Sequence, residues 1–120
     1  MPFDGKPDLF VQKDPVRETP TEQIIRRARG LISTPKTWCR NAHALDANRR
    51  WMFSVHDDRA VRFCANGALK RAARELDYSW LRYRWTVYTL GGYTLVASTN
   101  DRQGLRAVHR LFDKRLAKTR

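Results

Sequence analysis

The chain has few acidic residues, few cysteines and no long apolar run. Its 120 residues include 12 Asp or Glu against 24 Lys or Arg, so the formal net charge is +12, which excludes a neutral or acidic protein. No apolar run approaches the roughly 18–20 residues of a membrane-spanning helix, and the first residues lack the cationic start and apolar stretch of a secretory signal. Two cysteines are too few for a disulfide framework. We therefore expect a cytoplasmic protein with reduced thiols and no membrane insertion.

The hydrophobic content is still sufficient for a folded domain. Hydrophobic residues make up 42% of the chain and aromatic residues 11%. The length suits one domain of about 100–150 residues. Residues 1–19 contain Pro2, Pro7 and Pro15 and show no sustained periodicity, which is typical of a flexible segment. The sequence predicts a flexible N-terminal arm over residues 1–19 and a single helical domain over residues 20–120.

A first helix is predicted directly after the arm. Thr19 and Glu22 have the spacing of a capping box, and Pro20 between them suits the first helical position. Pro35 ends this helix, because the residue before a proline avoids helical backbone angles. Residues 37–55 have no clean period, and we expect a large irregular or weakly β loop there.

Two further helices are predicted from apolar spacing. One begins after Asp57 or Asp58 and runs through residues 61–76, and Gly67 inside it costs about 1 kcal/mol relative to alanine, which indicates a packing reason for the glycine. The other follows Asn100-Asp101, which we interpret as its cap rather than as a catalytic pair. Both helices carry basic side chains at i, i+4 spacing on a face other than the apolar one.

Residues 81–98 fit two different structures. The segment is rich in aromatic and β-branched residues and is divided by Gly91-Gly92, a two-residue hairpin signal. The same apolar residues also fit a helical face. Local residue preferences favour the hairpin, and periodicity does not decide between the two.

Three short pieces of the sequence resemble a known domain family. They are Trp38 after the first helix, the run Cys64-Ala65-Asn66-Gly67-Ala68-Leu69, and Asn100-Asp101 before the last helix. Over residues 22–117 they resemble a small bacterial and phage domain family of unknown function. The resemblance implies a mainly helical domain, including the segment before Asn100, and implies no activity. Cys39 and Ser98-Thr99 depart from the family's pattern.

With this resemblance, the predicted fold is mainly α: a small single helical domain with an irregular loop region. The alternative is an α+β domain with a hairpin at about 81–98.

The basic rows favour binding to a polyanion. A Lys or Arg that neutralises a phosphate releases condensed counterions, whatever the base sequence. Aromatic residues 80–88, interleaved with Arg82 and Arg84, could stack on unpaired bases. The same rows could instead be the solvated faces of ordinary helices. We predict a non-catalytic module for nucleic-acid backbone, and its candidate polyanion-binding residues are Arg62, Lys70, Arg74, Arg102, Arg106, Arg110, Lys114 and Lys118.

An acidic protein surface is the alternative partner. It would use the same basic rows, with Trp38, Trp51 or Trp80 as candidate anchors. Nothing in the sequence separates an acidic protein from a nucleic acid, and the oligomeric state is not predicted.

Two chemical sites are less favoured. Cys64 could act as a nucleophile with His56 or His109 as base, but it falls in register with apolar residues and fits a core position. A zinc site from Cys39, His43, His56 and Cys64 has permitted ligand types but no recognised spacing. We therefore assign no catalytic residue, no metal ligand and no cofactor from the sequence.

Overall fold

The computed structural model describes residues 17–118. Most of the predicted flexible arm, residues 1–16 of 1–19, lies outside this range. Within it the chain forms helices joined by turns and one two-stranded antiparallel sheet. The predicted mainly α class is confirmed. The helices are α1 (Pro20–Leu31), α2 (Ala65–Glu75), α3 (Trp80–Thr89), α4 (Tyr93–Ser98) and α5 (Leu105–Ala117). The other elements are a 3₁₀ turn (Pro35–Thr37), β1 (Ala44–Leu45), β2 (Arg62–Phe63) and a π-helical turn (Thr99–Gln103).

Helix α1 starts at the predicted capping box. The Thr19 hydroxyl accepts a hydrogen bond from the Glu22 backbone amide at 3.2 Å, and Oε1 of Glu22 accepts one from the Thr19 amide at 2.9 Å. These bonds satisfy donors that a helix start would otherwise leave unpaired. The inner face of α1, with Ile24, Ile25 and Ala28, is fully buried.

Helix α2 begins later than the sequence predicted. Its N-cap is Cys64, so a start at Asp57 or Asp58 is wrong. Asp57 instead closes a local turn, since its Oδ1 accepts a hydrogen bond from the Arg59 amide at 2.8 Å. The Val61 amide then donates to a carbonyl of β1 at 2.9 Å. Because the sheet takes these backbone groups, residues 61–63 are extended rather than helical.

Residues 81–98 form helices α3 and α4, so the alternative hairpin is wrong. Ser79 caps α3 through its hydroxyl, and Tyr83, Val87 and Leu90 form one buried face at helical spacing. Gly91 and Gly92 have φ angles of +114° and +101°, so the glycine pair ends one helix and begins the next. Helical packing against α1 and α2 overrides the local residue preference for a hairpin.

The last helix also begins later than predicted. Its N-cap is Gly104, with φ of +98°, and Asn100-Asp101 lies in the π-helical turn before it. The interpretation of Asn100-Asp101 as the cap of this helix is therefore wrong. Arg102 belongs to the turn, so the basic row on α5 begins at Arg106.

The core lies between α1 and the helices around it. Helix α1 packs against α2, α3 and α5, and α2 also packs against α3 and α4. None of the helices in the described part of the chain is both long enough and apolar enough to span a membrane. The largest fully buried apolar side chains are Ile24, Ile25, Ile32, Leu69, Val96, Val108 and Phe112.

Gly67 has the packing reason that its position indicated. A Cβ atom at residue 67 would lie 2.1 Å from the backbone carbonyl oxygen of His43. The same oxygen accepts a hydrogen bond from the Cys64 amide at 3.2 Å. The loop before β1 is thus held directly on the first turn of α2, and only glycine leaves room for it.

We expect Gly67→Ala to lower the free energy of unfolding by about 3 kcal/mol or more, because a backbone carbonyl cannot rotate away from the added methyl group. Gly30→Ala is the matched control, since a Cβ there meets nothing within 4 Å. In α1 it should raise stability by about 0.5–1 kcal/mol. Urea unfolding followed by circular dichroism measures both, and equal stabilities would contradict the close approach of His43 to α2.

Candidate functional site

The side chain of Asn100 joins three parts of the fold. Its Oδ1 accepts hydrogen bonds from Trp38 Nε1 at 2.7 Å and from the Ala65 backbone amide at 2.9 Å. Its Nδ2 donates to the Cys39 carbonyl at 3.1 Å and to Oδ1 of Asp101 at 2.9 Å. Asn100 is 1% exposed. One buried amide therefore connects the segment after α1, the first turn of α2 and the π-helical turn.

Asp101 extends this junction to the loop before β1. Its Oδ1 accepts a hydrogen bond from the Asn41 backbone amide at 3.0 Å, and its carbonyl accepts one from Arg40 at 2.9 Å. Asn41 has φ of +60°, a left-handed conformation that asparagine tolerates better than most residues. The contact fixes this loop beside α2.

A cavity of about 470 Å³ opens next to the junction. Its wall includes His43 and Tyr93, whose Nε2 and hydroxyl oxygen are 2.6 Å apart. Asn66 also lines it, is 2% exposed and donates from Nδ2 to the Tyr93 carbonyl at 3.3 Å. Oδ1 of Asn66 has no hydrogen-bond partner among the described residues. The cavity thus presents hydrogen-bonding groups in a partly enclosed space.

Cys64 faces this cavity but lacks the surroundings of an activated thiol. Its Sγ accepts a hydrogen bond from the Gly67 amide at 3.3 Å. Burial raises the pKa of Cys64 to about 11, although the amides of Gly67 and Asn66 act in the opposite direction. Only the thiolate form of a cysteine is nucleophilic. Because the raised pKa keeps Cys64 in the thiol form at neutral pH, these surroundings do not favour a nucleophilic role.

The histidines considered as bases lie in other places. His109 Nε2 is 2.8 Å from the Ile32 carbonyl oxygen. His56 lines a separate cavity beside Lys70 and Arg74. Burial, followed by the nearby positive charges, lowers the pKa of His56. Neither histidine is hydrogen-bonded to Cys64 in the described part of the chain.

The residues considered as zinc ligands are also engaged separately. Cys39 Sγ donates to the Ala42 carbonyl at 3.4 Å, and burial raises the pKa of Cys39 to about 12. His43 contacts Tyr93, and His56 lines another cavity. Residues 17–118 contain no group of three or more His, Cys, Asp or Glu side chains that could hold a metal ion.

The basic row of α5 lies on the surface. Arg106, Arg110 and Lys114 are exposed, and Lys118 is exposed directly after the helix. None of these four takes part in a salt bridge within residues 17–118. The acidic residue of α5, Asp113, instead accepts two hydrogen bonds from Arg29 of α1, at 2.6 and 2.9 Å. The row therefore places four cations on one side of the helix. The nearby carboxylate of Asp113 is paired with Arg29 and not with the row.

The basic row predicted for the second helix is divided by the fold. Arg62 lies in β2, is half-buried and donates to the Pro35 carbonyl at 3.5 Å. Lys70 is half-buried and Arg74 exposed on α2, and both line the cavity that contains His56. Asn66, four residues after Arg62 and four before Lys70, is buried. These residues therefore do not form the single row on one helix face that the spacing predicted.

The aromatic residues near α3 separate into buried and exposed groups. Tyr83 is buried, whereas Trp80, Trp85 and Tyr88 are 55%, 56% and 69% exposed. Trp38, considered as a binding anchor, is half-buried and held by Asn100. Trp51 and Trp80, the other candidate anchors, remain accessible.

Sequence reasoning missed the joining role of Asn100 and the pair of His43 with Tyr93. The family resemblance singled out Trp38, Cys64 and Asn100, but nothing in their spacing along the chain shows that they meet. The partner of Asn100 at Trp38 is 62 residues away. Such a contact is visible only once the chain is folded.

Asn100→Ala should lower the free energy of unfolding by about 3–5 kcal/mol, because it leaves buried donors and an acceptor unpaired, each costing about 1–3 kcal/mol. Gln103→Ala, at an exposed position of the same π-helical turn, is the control and should change stability by less than about 0.5 kcal/mol. Urea unfolding of both variants checks this. A loss below about 1 kcal/mol for Asn100→Ala would contradict the joining role of this side chain.

Both thiols should resist alkylation in the folded protein at pH 8. With the pKa of Cys64 raised to about 11, on the order of one thiol in a thousand is ionised at that pH, and burial slows reagent access further. Iodoacetamide treatment followed by mass spectrometry should give an unmodified folded protein and a doubly modified protein in urea. Rapid, selective modification of Cys64 in the folded state would contradict the described environment of its thiol.

The comparisons with known proteins place the chain in a family. Neither curated proteins nor solved structures gave a significant match. A family model described as a family of unknown function (DUF6197) matches residues 16–117, well over half of the chain. This agrees with the resemblance to a family of unknown function inferred from the sequence. The chain therefore belongs to the DUF6197 family, for which no function is described.

Proposed function

We propose that this protein binds nucleic acid through the phosphate backbone, without catalysis and without base-specific readout, and that the basic row of α5 is the main contact surface. The observation that carries the proposal is the row itself: Arg106, Arg110, Lys114 and Lys118 at i, i+4 spacing, exposed and without salt bridges among residues 17–118. Exposed cations at such spacing can follow a line of phosphates.

The pairing of the acidic residues supports this assignment. The salt bridges of the described region use arginines outside the row: Glu75 is paired with Arg27 and Arg71, and Asp113 with Arg29. The hydrogen bonds from Arg29 hold the pKa of Asp113 below its ordinary value, so its carboxylate stays ionised and paired at neutral pH. The salt bridges within residues 17–118 therefore leave the four cations of the row without a carboxylate partner in that part of the chain.

The C-terminal end of the row borders another accessible surface. Lys114 and Lys118 line a cavity of about 380 Å³ together with Thr89 and Leu90 at the end of α3. The C-terminal end of α3 and the C-terminal end of the basic row are thus neighbours in the folded chain. Arg102, in the turn before α5, is also exposed and lies near the other end of the row.

An acidic protein surface remains the alternative partner. Two exposed aromatic side chains favour such a protein partner: Trp51 is 64% exposed and Phe53 is 92% exposed. Their rings contact each other edge to face, with centroids 6.2 Å apart. This aromatic pair lies on the β1–β2 loop, however, rather than beside the row on α5. Electrostatic complementarity would serve either partner equally.

The proposal predicts salt-dependent binding that the row on α5 controls. Arg106→Gln, Arg110→Gln and Lys114→Gln together should weaken binding to generic DNA and RNA and reduce the slope of log affinity against log salt by about 2–3, because each lost phosphate contact removes about 0.7–0.9. Fluorescence anisotropy with labelled oligonucleotides at several salt concentrations measures the slope. No binding at low salt, or binding insensitive to salt, would overturn the proposal.

A charge-matched variant controls for net charge. Lys36→Gln, Arg49→Gln and Arg50→Gln remove the same number of cations from exposed positions that lie outside α5 and take part in no salt bridge within residues 17–118. This variant should keep most of the wild-type slope. If both triple variants lose the same slope, the binding depends on net charge alone and α5 is not the contact surface.

A further inference from the structure

Helix α3 is apolar on two opposite sides, although only one is buried. Tyr83, Val87 and Leu90 form the inner side, each less than 10% exposed. The outer side carries Leu81, 72% exposed, together with Trp85 and Tyr88. A helix that is apolar all round is normally covered on every side. In the described part of the chain no element covers the outer side of α3, so this apolar surface is available to a ligand.

The rings on this outer side are arranged as a platform. Trp85 and Tyr88 lie with centroids 5.4 Å apart and planes inclined by 30°, so the two rings contact each other, and both remain more than half exposed. The neighbouring Trp80 is partly covered, because the Arg84 guanidinium lies 4.9 Å from its ring centroid. Within residues 17–118 no such cation lies over Trp85 or Tyr88. Their faces are accessible for stacking.

The charges around the platform favour an anionic partner. Residues 78–100 contain no Asp or Glu, and their two charged side chains are Arg82 and Arg84, both exposed. A second copy of the chain on the same surface would bring these arginines together and incur like-charge repulsion. The cavity lined by Thr89, Leu90 and Lys114 places the C-terminal end of α3 next to the basic row.

We infer that the outer side of α3 stacks unpaired bases, so that the preferred ligand is a single-stranded nucleic acid whose backbone follows the row on α5. This inference rests on the proposed function and specifies its substrate class. Flat aromatic rings flanked by arginine suit unpaired bases, because each base has a π face and each phosphate needs a cation. A paired duplex keeps its bases stacked within the helix and offers Trp85 and Tyr88 no free face.

The test compares single-stranded and double-stranded oligonucleotides of about 20 nucleotides by fluorescence anisotropy at low salt. The wild type should bind the single strand more tightly than the duplex. Trp85→Ala with Tyr88→Ala should weaken single-strand binding by about tenfold or more, because stacking contributes substantially for each base. The same variant should bind the duplex as the wild type does.

Two variants serve as controls. Trp85→Phe with Tyr88→Phe keeps flat rings and should recover most of the single-strand affinity. Trp51→Ala removes a ring of similar exposure, 64%, from the β1–β2 loop and should leave the affinity unchanged. Unfolding curves confirm that each variant is folded, and the replaced side chains lie outside the buried core.

The outcomes separate this inference from the proposed function. If both nucleic acids bind with salt dependence but the Trp85 and Tyr88 variant matches the wild type, α5 binds phosphates and the platform inference is wrong. If neither nucleic acid binds at low salt, the proposed function itself fails. If the variant loses polyglutamate binding as strongly as single-strand binding, the surface serves an acidic protein. If it loses self-association in sedimentation, the surface serves a second copy.

Discussion

The fold depends on one buried amide, that of Asn100. The chain between α1 and α2 is long and mostly irregular, with two short strands and two non-glycine residues at positive φ, Asn41 and Arg49. Such a segment forms few backbone hydrogen bonds within its own strands, so these bonds contribute little to its stability. Asn100 uses both ends of its side chain to hold this segment at Trp38 and Cys39 against α2 at Ala65. Because an unpaired buried polar group is costly, these contacts select one arrangement of the loop.

This arrangement determines which surfaces remain available. With the loop closed over the first turn of α2, Cys64 becomes a cap and a core residue rather than an exposed thiol. The hydrogen bonds from Arg29 to Asp113 connect α1 to α5. The row from Arg106 to Lys118 and the rings of Trp85 and Tyr88 then face solvent. The packing of the loop and the helices thus leaves the basic row of α5 and the rings of α3 on the surface.

The sequence predicted the parts of this fold that depend on local patterns. The capping box at Thr19 and Glu22 and the apolar spacing of α1 and α5 required no knowledge of the rest of the chain. The start of α2 was misplaced, because residues 61–63 pair with β1, and strand pairing across a long loop leaves no local pattern. The junction at Asn100 could not be predicted either, since its partners outside the π-helical turn lie 35 to 62 residues away. The exposed rings of α3 had the same limitation: the spacing of residues 81–98 fitted a helical face as well as a hairpin, and it did not show which side would stay uncovered.

The most direct test of the account is a map of the surface that nucleic acid contacts. Backbone amide shifts of the labelled protein, recorded by NMR during titration with a single-stranded oligonucleotide, provide this map residue by residue. The account predicts the largest shifts along α5, from Arg106 to Lys118, and along the exposed side of α3, with little change at Trp51 and the β1–β2 loop. Shifts confined to that loop or to the cavity beside Asn100, or no shifts at low salt, would contradict it.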